Sequence, residues 1–174
     1  MAFEDKLKKL KLLVFDVDGI LTDNSVYMGS DGAEFKQFYI ADGFAFYLAQ
    51  QAGLRVALVS GRYSAATDSR AKELSIEDLY QGYGEKSEVV ADLLTKYEIS
   101  LDETMFMGDD LVDIAVMKQT EVSVTVPDSA PQVKAVADYT TSCPGGRGAV
   151  REIVNMILEA KGIDVVELWE SKFA

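Results

Sequence analysis

The chain has 174 residues, of which 48% are hydrophobic and 26% are charged, as expected of a single globular domain. Its formal net charge of −12 disfavours nucleic acids and anionic membrane surfaces as partners, because these carry charge of the same sign. The absence of histidine excludes Ser-His triads, phosphohistidine chemistry and zinc sites that need histidine.

Short apolar runs alternate with helical patterns along the first half of the chain. Residues 12–17 are predicted as a buried strand, because they form a short apolar run that ends in acidic residues. The elements predicted next, in chain order, are a hairpin over about 25–39, a helix over 43–51, a strand over 55–60, a helix over 64–74, a strand over 78–81 and a helix over 85–97.

The same alternation continues in the second half. The predicted elements are a strand over 104–107, a helix over 111–118, a strand over 122–126, a helix that opens at Pro131, an edge strand over 139–141 and a closing helix over 147–160. Residues 161–174 are predicted to follow the domain as a C-terminal segment, in which 163–173 form either a short amphipathic helix or a tail.

This order predicts a single α/β domain over residues 1–174. Strands and helices that alternate in this way build a doubly wound, Rossmann-like, mostly parallel sheet with helices on both faces. The hairpin is then an insertion after the first strand. Because ligands of such sheets bind outside the carboxyl ends of the strands, polar residues that follow strands are the candidates for a site.

Acidic residues follow two of the predicted strands. Asp16 and Asp18 share one face of an extended segment, and Asp109 follows the strand over 104–107. Crowded carboxylates repel one another, and a divalent cation relieves that repulsion. Oxygen ligands favour Mg²⁺, so the sequence predicts a Mg²⁺ site that involves Asp16, Asp18 and Asp109.

Phosphoryl transfer to a carboxylate is the chemistry that this arrangement favours. A bound cation offsets the repulsion between a carboxylate nucleophile and an anionic phosphate. Lys86 and the hydroxyl of Ser60 are placed to hold phosphate oxygens. Asp18 can protonate the leaving alcohol and then activate water against the acyl-phosphate that forms on Asp16.

The candidate residues lie in four segments that resemble the motifs of the haloacid dehalogenase superfamily. These segments are Phe15-Asp16-Val17-Asp18-Gly19-Ile20-Leu21-Thr22-Asp23, Val59-Ser60-Gly61-Arg62, Lys86 and Gly108-Asp109-Asp110-Leu111-Val112-Asp113. The resemblance covers about residues 10–160. It implies that Asp16 is the nucleophile, that Asp18 is the general acid/base, and that Ser60, Gly61, Arg62 and Lys86 bind phosphate. It further implies that Asp16, Asp109 and the backbone carbonyl of Asp18 bind the metal, and that Asp110 and Asp113 hold water and the lysine in place.

The chain leaves no room for the cap domain that larger members of this superfamily carry. Only 41 residues separate Asp18 from Ser60 and 25 separate Ser60 from Lys86, whereas a domain takes at least about 50. The chain resembles the capless branch in four further segments: 32–38, 42–43, 80–82 and 145–152. That branch forms homotetramers in which the hairpin builds the assembly and the glycine-rich segment reaches a neighbouring site, so a homotetramer is expected here.

The resemblance further implies a sugar-acid phosphate as substrate, most directly an eight-carbon sugar acid 8-phosphate. Ala41 stands where members of the branch commonly have an arginine, which would suit the carboxylate of the sugar. Lys36, Arg62 or Arg147 can supply that charge instead. A nine-carbon, sialic-type sugar acid 9-phosphate is therefore the alternative substrate.

Two other classes of protein share part of this pattern. A phospho-receiver domain also joins an acidic pair, a hydroxyl and a lysine, but its lysine follows the last strand, whereas Lys86 precedes Asp109. A catalytically silent oligomeric scaffold is the second, and the full set of catalytic residue types argues against it. The lone cysteine, Cys143, the charged first ten residues and the lack of a long apolar run predict a cytoplasmic protein.

Overall fold

The computed structural model describes residues 2–171. Its strands are β1 (Leu12–Phe15), β2 (Tyr27–Met28), β3 (Glu34–Phe35), β4 (Arg55–Ser60), β5 (Asp78–Gln81), β6 (Thr104–Met107), β7 (Val122–Thr125) and β8 (Tyr139–Thr140). Six of them form a parallel sheet in the order β5-β4-β1-β6-β7-β8, and β2 pairs with β3 in an antiparallel hairpin. The predicted doubly wound sheet with a hairpin insertion is confirmed.

Helices connect the strands of the sheet. They are α1 (Phe3–Lys9), α2 (Ile40–Gln51), α3 (Ala65–Glu73), α4 (Lys86–Tyr97), α5 (Ile114–Met117), α6 (Pro131–Lys134), α7 (Ala149–Ala160) and α8 (Val165–Glu170). None of the helices in the described part of the chain is both long and apolar enough to cross a membrane. Within residues 2–171 the connections hold no cap domain, as predicted.

Strand β1 shows why the sheet is covered on both faces. Its side chains alternate: Leu13 and Phe15 join the core under α1, α2 and α7, whereas Leu12 and Val14 join the core under α4, α5 and α6. All four are fully buried, and each contributes about 1.5–3 kcal/mol of transfer free energy. The continuous apolar run therefore reflects a central strand with no solvent-facing side.

The order of the strands places a crevice beside β1. The chain runs outward from β1 to β4 and β5, and then returns to β6 on the other side of β1. The backbone N–H of Asp16 donates to the carbonyl of Met107 at 2.9 Å, so the carboxyl ends of β1 and β6 lie together. A sheet of this kind binds its ligand at such a reversal.

Helix α2 begins three residues before the predicted start at Gly43. Gly43 lies inside the helix, where a Cβ atom would meet the guanidinium of Arg70 on α3. The first turn of α2 also carries Asp42, whose buried carboxylate accepts the backbone N–H groups of Gly148 at 3.1 Å and Arg151 at 2.8 Å. Asp42 therefore joins α2 to the start of α7.

The two ends of the described chain pack on the same core. Helix α1, which was not predicted, buries Leu7, and its Lys6 donates to the carbonyl of Glu121 at 3.0 Å. Helix α8 supports the helical alternative for residues 163–173, although Lys172 and Phe173 lie outside the described residues. Trp169 packs edge-on against Phe44 of α2.

Candidate active site

A cavity of about 160 Å³ opens at the carboxyl ends of β1, β4 and β6. Its lining contains eight of the sequence-predicted site residues, together with Asn24 and Val112. The predicted residues are Asp16, Asp18, Ser60, Gly61, Arg62, Lys86, Asp109 and Asp110. The strands thus bring together residues that are up to 96 positions apart in the chain, since the lining runs from residue 16 to residue 112.

Lys86 connects two buried carboxylates at the floor of this cavity. It is the first residue of α4, and its Nζ lies 2.7 Å from Asp16 Oδ1 and 2.6 Å from Asp113 Oδ1. Although burial alone lowers the pKa of a lysine, these two carboxylates raise the pKa of Lys86 above its usual value. Lys86 is therefore a fixed cation beside Asp16.

Asp113 is in turn held by the loop after β6. Its Oδ2 accepts the backbone N–H groups of Asp109 at 3.0 Å and Asp110 at 3.1 Å. The same interactions make residues 111–113 a 3₁₀ turn, so that the helix predicted over 111–118 is divided into this turn and α5. Asp113 thus holds both Lys86 and the Asp109 loop in place.

Asp16 and Asp109 form a crowded pair of carboxylates. Burial raises the pKa of Asp16 to about 6, against the opposing charge of Lys86. Burial, the charge of Asp16 and that of Asp113 raise the pKa of Asp109 to about 8. Ligand atoms of these three aspartates lie within 4.8 Å of one another, and Asp109 Oδ1 is buried without a hydrogen-bond partner. Oxygen donors that repel one another and include a buried free acceptor fit a hard divalent cation.

The loop after β1 approaches Asp109 closely. Gly19 has φ +89°, and a Cβ atom at this position would overlap the Asp109 carboxylate. Asn24 reaches the same group, because its Nδ2 lies 3.2 Å from Asp109 Oδ2. The sequence analysis missed Asn24. The Asp23-Asn24 pair indicates a turn, but that signal does not say where the side chain points.

The hairpin forms one wall of the site. Lys36 has a fully buried side chain, and its Nζ lies 2.6 Å from Asp18 Oδ1. Arg62 pairs with Glu34 at 2.7 Å and lies 3.9 Å from Asp18 Oδ2. Lys36 therefore contacts the predicted general acid/base, and the sequence analysis missed the contribution of Glu34.

The turn after β4 carries the predicted phosphate-binding hydroxyl. Ser60 Oγ accepts the backbone N–H of Arg62 at 3.2 Å and donates to its carbonyl at 2.9 Å. Gly61 separates the two residues and lines the cavity. The hydroxyl is therefore positioned by its own turn.

Within residues 2–171, the only predicted site residue that neither lines the cavity nor contacts a residue lining it is Arg147. It is exposed, and its backbone N–H donates to Pro144 at 3.2 Å. The adjacent Gly145 and Gly146 pack against the loop after β1, where Gly146 N–H donates to Ile20 at 2.9 Å. Side chains there would collide with that loop.

Several known proteins are similar to this chain in both sequence and fold. The sequence model of the haloacid dehalogenase-like hydrolase family matches residues 78–153 of this chain. The 3-deoxy-D-manno-octulosonate 8-phosphate phosphatase KdsC of Escherichia coli (strain K12) is 40% identical over 157 residues, which are 90% of this chain and 84% of the relative.

Two solved structures carry ions or ligands. The 3-deoxy-D-manno-octulosonate 8-phosphate phosphatase of Moraxella catarrhalis, in complex with magnesium, phosphate and KDO, is similar with a TM-score of 0.92 and 37% identity, over 98% of this chain and 97% of that one. The cobalt-bound deoxy-D-mannose-octulosonate 8-phosphate phosphatase of Haemophilus influenzae has a TM-score of 0.87 and 34% identity, over 90% and 92%.

A doubly wound sheet with an Asp-x-Asp after its first strand, a buried lysine and a second acidic loop defines the haloacid dehalogenase-like class of hydrolases. The chain belongs to this superfamily and, within it, to the family of the 3-deoxy-D-manno-octulosonate 8-phosphate phosphatases. It is accordingly a phosphoric monoester hydrolase.

Proposed function

We propose that this chain hydrolyses 3-deoxy-D-manno-octulosonate 8-phosphate with Mg²⁺ as cofactor and Asp16 as nucleophile. The observation that carries the proposal is the buried Asp16, held at 2.7 Å by Lys86 beside the unpaired Oδ1 of Asp109. The substrate is taken from the relatives described above. A nine-carbon, sialic-type sugar acid 9-phosphate is the second candidate, because Ala41 supplies no cation for the carboxylate of the sugar.

The first half-reaction forms a bond between Asp16 and phosphorus. A carboxylate oxygen of Asp16 attacks phosphorus, the ester P–O bond breaks, and Asp18 gives its proton to the departing alkoxide. Lys86 and Ser60 hold the remaining phosphate oxygens. When bound by Asp16, Asp109 and the carbonyl of Asp18, Mg²⁺ would offset the negative charge of nucleophile and phosphate.

The second half-reaction restores Asp16. Asp18 accepts a proton from a water molecule, whose oxygen bonds to phosphorus while the bond between phosphorus and Asp16 breaks. Inorganic phosphate then leaves. Asp110 and Asp113 support this chemistry by holding the loop after β6 and the Lys86 side chain.

A substrate panel tests this proposal. Purified protein with Mg²⁺ is expected to release phosphate fastest from octulosonate 8-phosphate, more slowly from neuraminate 9-phosphate and slowest from simple hexose phosphates. EDTA is expected to stop the reaction and added Mg²⁺ to restore it. Equal rates for all esters would contradict the sugar-acid assignment, and an EDTA-resistant rate would contradict the assignment of Mg²⁺.

Lys36 is proposed to position Asp18 and to contact the sugar acid next to it. Lys36→Met keeps the apolar stem, so we expect a folded protein with kcat/KM lowered by about 10²-fold, because the general acid/base loses its orientation. Lys36→Arg is expected to recover part of this loss. Lys72→Met, which removes an exposed lysine paired with Asp68 on α3, is the control and leaves kcat/KM unchanged. Full activity of Lys36→Met would exclude this role.

A homotetramer is proposed because the hairpin has an apolar outer face. Tyr27 pairs with Phe35 across the hairpin, so their side chains share one side, and they are 50% and 62% exposed. Glu34 and Lys36 turn to the active site instead. An open cavity with an apolar face nearby suits a site that a neighbouring subunit completes. The exposed Arg147 is the residue that each subunit is proposed to contribute to its neighbour's site.

Tyr27→Asp combined with Phe35→Asp is expected to convert the assembly into smaller species and to lower kcat/KM by about tenfold or more, since buried charge disfavours the interface. Light scattering coupled to size-exclusion chromatography gives the mass. Val166→Asp, at another exposed apolar residue on α8, is the control and should leave the mass unchanged. An intact tetramer in the double variant would rule out this face as the interface.

One domain and a cytoplasmic location complete the proposal.

A further inference from the structure

Asn24 makes a contact that the chemistry above does not use. Its Nδ2 lies 3.2 Å from Asp109 Oδ2, and the side chain lines the active-site cavity. The opposite oxygen of the same carboxylate, Oδ1, is buried and accepts no hydrogen bond. One oxygen of Asp109 is therefore held by an amide, while the other remains free for a cation.

The backbone at Asn24 is fixed independently of this side chain. Asn24 has φ +62°, in the left-handed region that asparagine tolerates better than most residues. The buried hydroxyl of Thr22 accepts its backbone N–H at 3.3 Å and that of Gly19 at 3.2 Å. The turn thus directs the amide at Asp109.

Two other aspartates lie close to Asp109 in this site. Asp16 and Asp113 carry the same charge as Asp109, and Lys86 binds those two residues instead. Gly19 leaves space beside the Asp109 carboxylate but supplies no side chain to hold it. Asn24, in contrast, is uncharged and donates a side-chain hydrogen bond to Asp109.

We propose that Asn24 is a positioning residue for the metal ligand Asp109: its amide holds Oδ2 so that Oδ1 is aimed into the cation site. This inference rests on the proposed function, because it assumes that Asp109 binds Mg²⁺. Groups that orient a metal ligand commonly change metal affinity by 10- to 100-fold when removed. Asn24 is thus assigned to cation affinity rather than to contact with the phosphate ester.

Mg²⁺ titration of the Asn24→Gly variant tests the proposal. Glycine keeps the left-handed backbone and removes the amide. We expect the Kd for Mg²⁺ alone, measured by calorimetry, to rise about tenfold, while kcat at saturating Mg²⁺ stays within about twofold of the parent. In excess Mg²⁺ the cation should stabilise the variant by about 1.4 kcal/mol less than the parent in thermal unfolding, which is the same tenfold change.

Ser75→Gly is the matched control. Ser75 also has a left-handed backbone, with φ +55°, and lies away from the site, so its replacement should change neither Kd nor kcat. If Asn24→Gly is unstable, Asn24→Ser is the second variant, since Ser75 shows that serine adopts this conformation in the same fold. Serine is too short to reach Asp109.

The outcomes separate this inference from the proposed function. If the parent protein does not bind Mg²⁺, the proposed function fails. If the parent binds Mg²⁺ and the variant binds it equally well, the role assigned to Asn24 is wrong. A lower kcat with unchanged Kd also overturns it, because Asn24 would then act on the substrate.

Discussion

Asp16→Asn is expected to lower kcat by at least about 10⁴-fold, because a neutral amide cannot form the aspartyl-phosphate. The substitution is nearly isosteric, and the backbone N–H of Asp16 still reaches Met107. Phosphate release at saturating substrate and Mg²⁺ measures the loss. Trapping of a phosphorylated protein by rapid acid quench is expected for the parent and not for the variant.

The direction in which Asp16→Asn changes the stability of the fold can also be predicted. Burial raises the pKa of Asp16 from 3.8 to about 6, so the folded state binds more protons than the unfolded state between these values. Stability therefore falls as pH rises through this window, and the cost of the ionised carboxylate is fully present above about pH 6. In Mg²⁺-free buffer at pH 7.5, we expect the variant to unfold at the same temperature as the parent or higher.

Asp78→Asn is the control for this experiment. Asp78 is also buried and paired with a lysine, Lys96, but it begins β5 and so lies at the opposite end of the sheet. It should leave kcat within about twofold. An Asp16→Asn protein that retained more than about a hundredth of the parental kcat would contradict the assignment of the nucleophile.

Lys86→Met is expected to affect both stability and catalysis. It leaves Asp16 and Asp113 buried without their cation, a change that typically costs about 3–5 kcal/mol of unfolding free energy. It also removes a fixed charge from the phosphate, so kcat/KM should fall by about 10³-fold. Chemical denaturation and steady-state kinetics under conditions where the variant is folded give the two values.

Lys96→Met separates these effects. Lys96 lies 2.6 Å from Asp78 Oδ1, but its side chain is half exposed, so the stability loss should be smaller. Its kcat/KM should equal that of the parent. A folded Lys86→Met protein with kcat/KM within tenfold of the parent would show that Lys86 is structural only.

The sheet could be predicted because its strands are buried on two faces. Runs such as 12–15 and 56–59 are apolar throughout, a pattern that only a central strand or a buried helix produces, and their brevity favours a strand. The acidic residues that follow them then fall at one edge of the sheet. For this reason the sequence alone predicts that Asp16, Asp109 and Lys86 lie together.

Contacts between distant segments could not be predicted in the same way. Gly43 indicates a helix boundary locally, yet it lies inside α2, with the guanidinium of Arg70 on α3 in the space that a side chain would take. Helix α1 has no local cap, and contacts such as that from Lys6 to the carbonyl of Glu121 hold it. The direction of Asn24 likewise depends on where Asp109 lies.

Asp42 and the Gly145-Gly146 turn have a consequence for the order of events during synthesis. The loop that carries Asp16 and Asp18 packs against residues that lie more than 120 positions later in the chain. The carboxylate of Asp42 has its hydrogen-bond donors only after Gly148 and Arg151 have been synthesised. A growing polypeptide can form its early strands long before the nucleophile has its final surroundings. The loop that carries the nucleophile therefore has its final packing only once α7 has been synthesised and has docked.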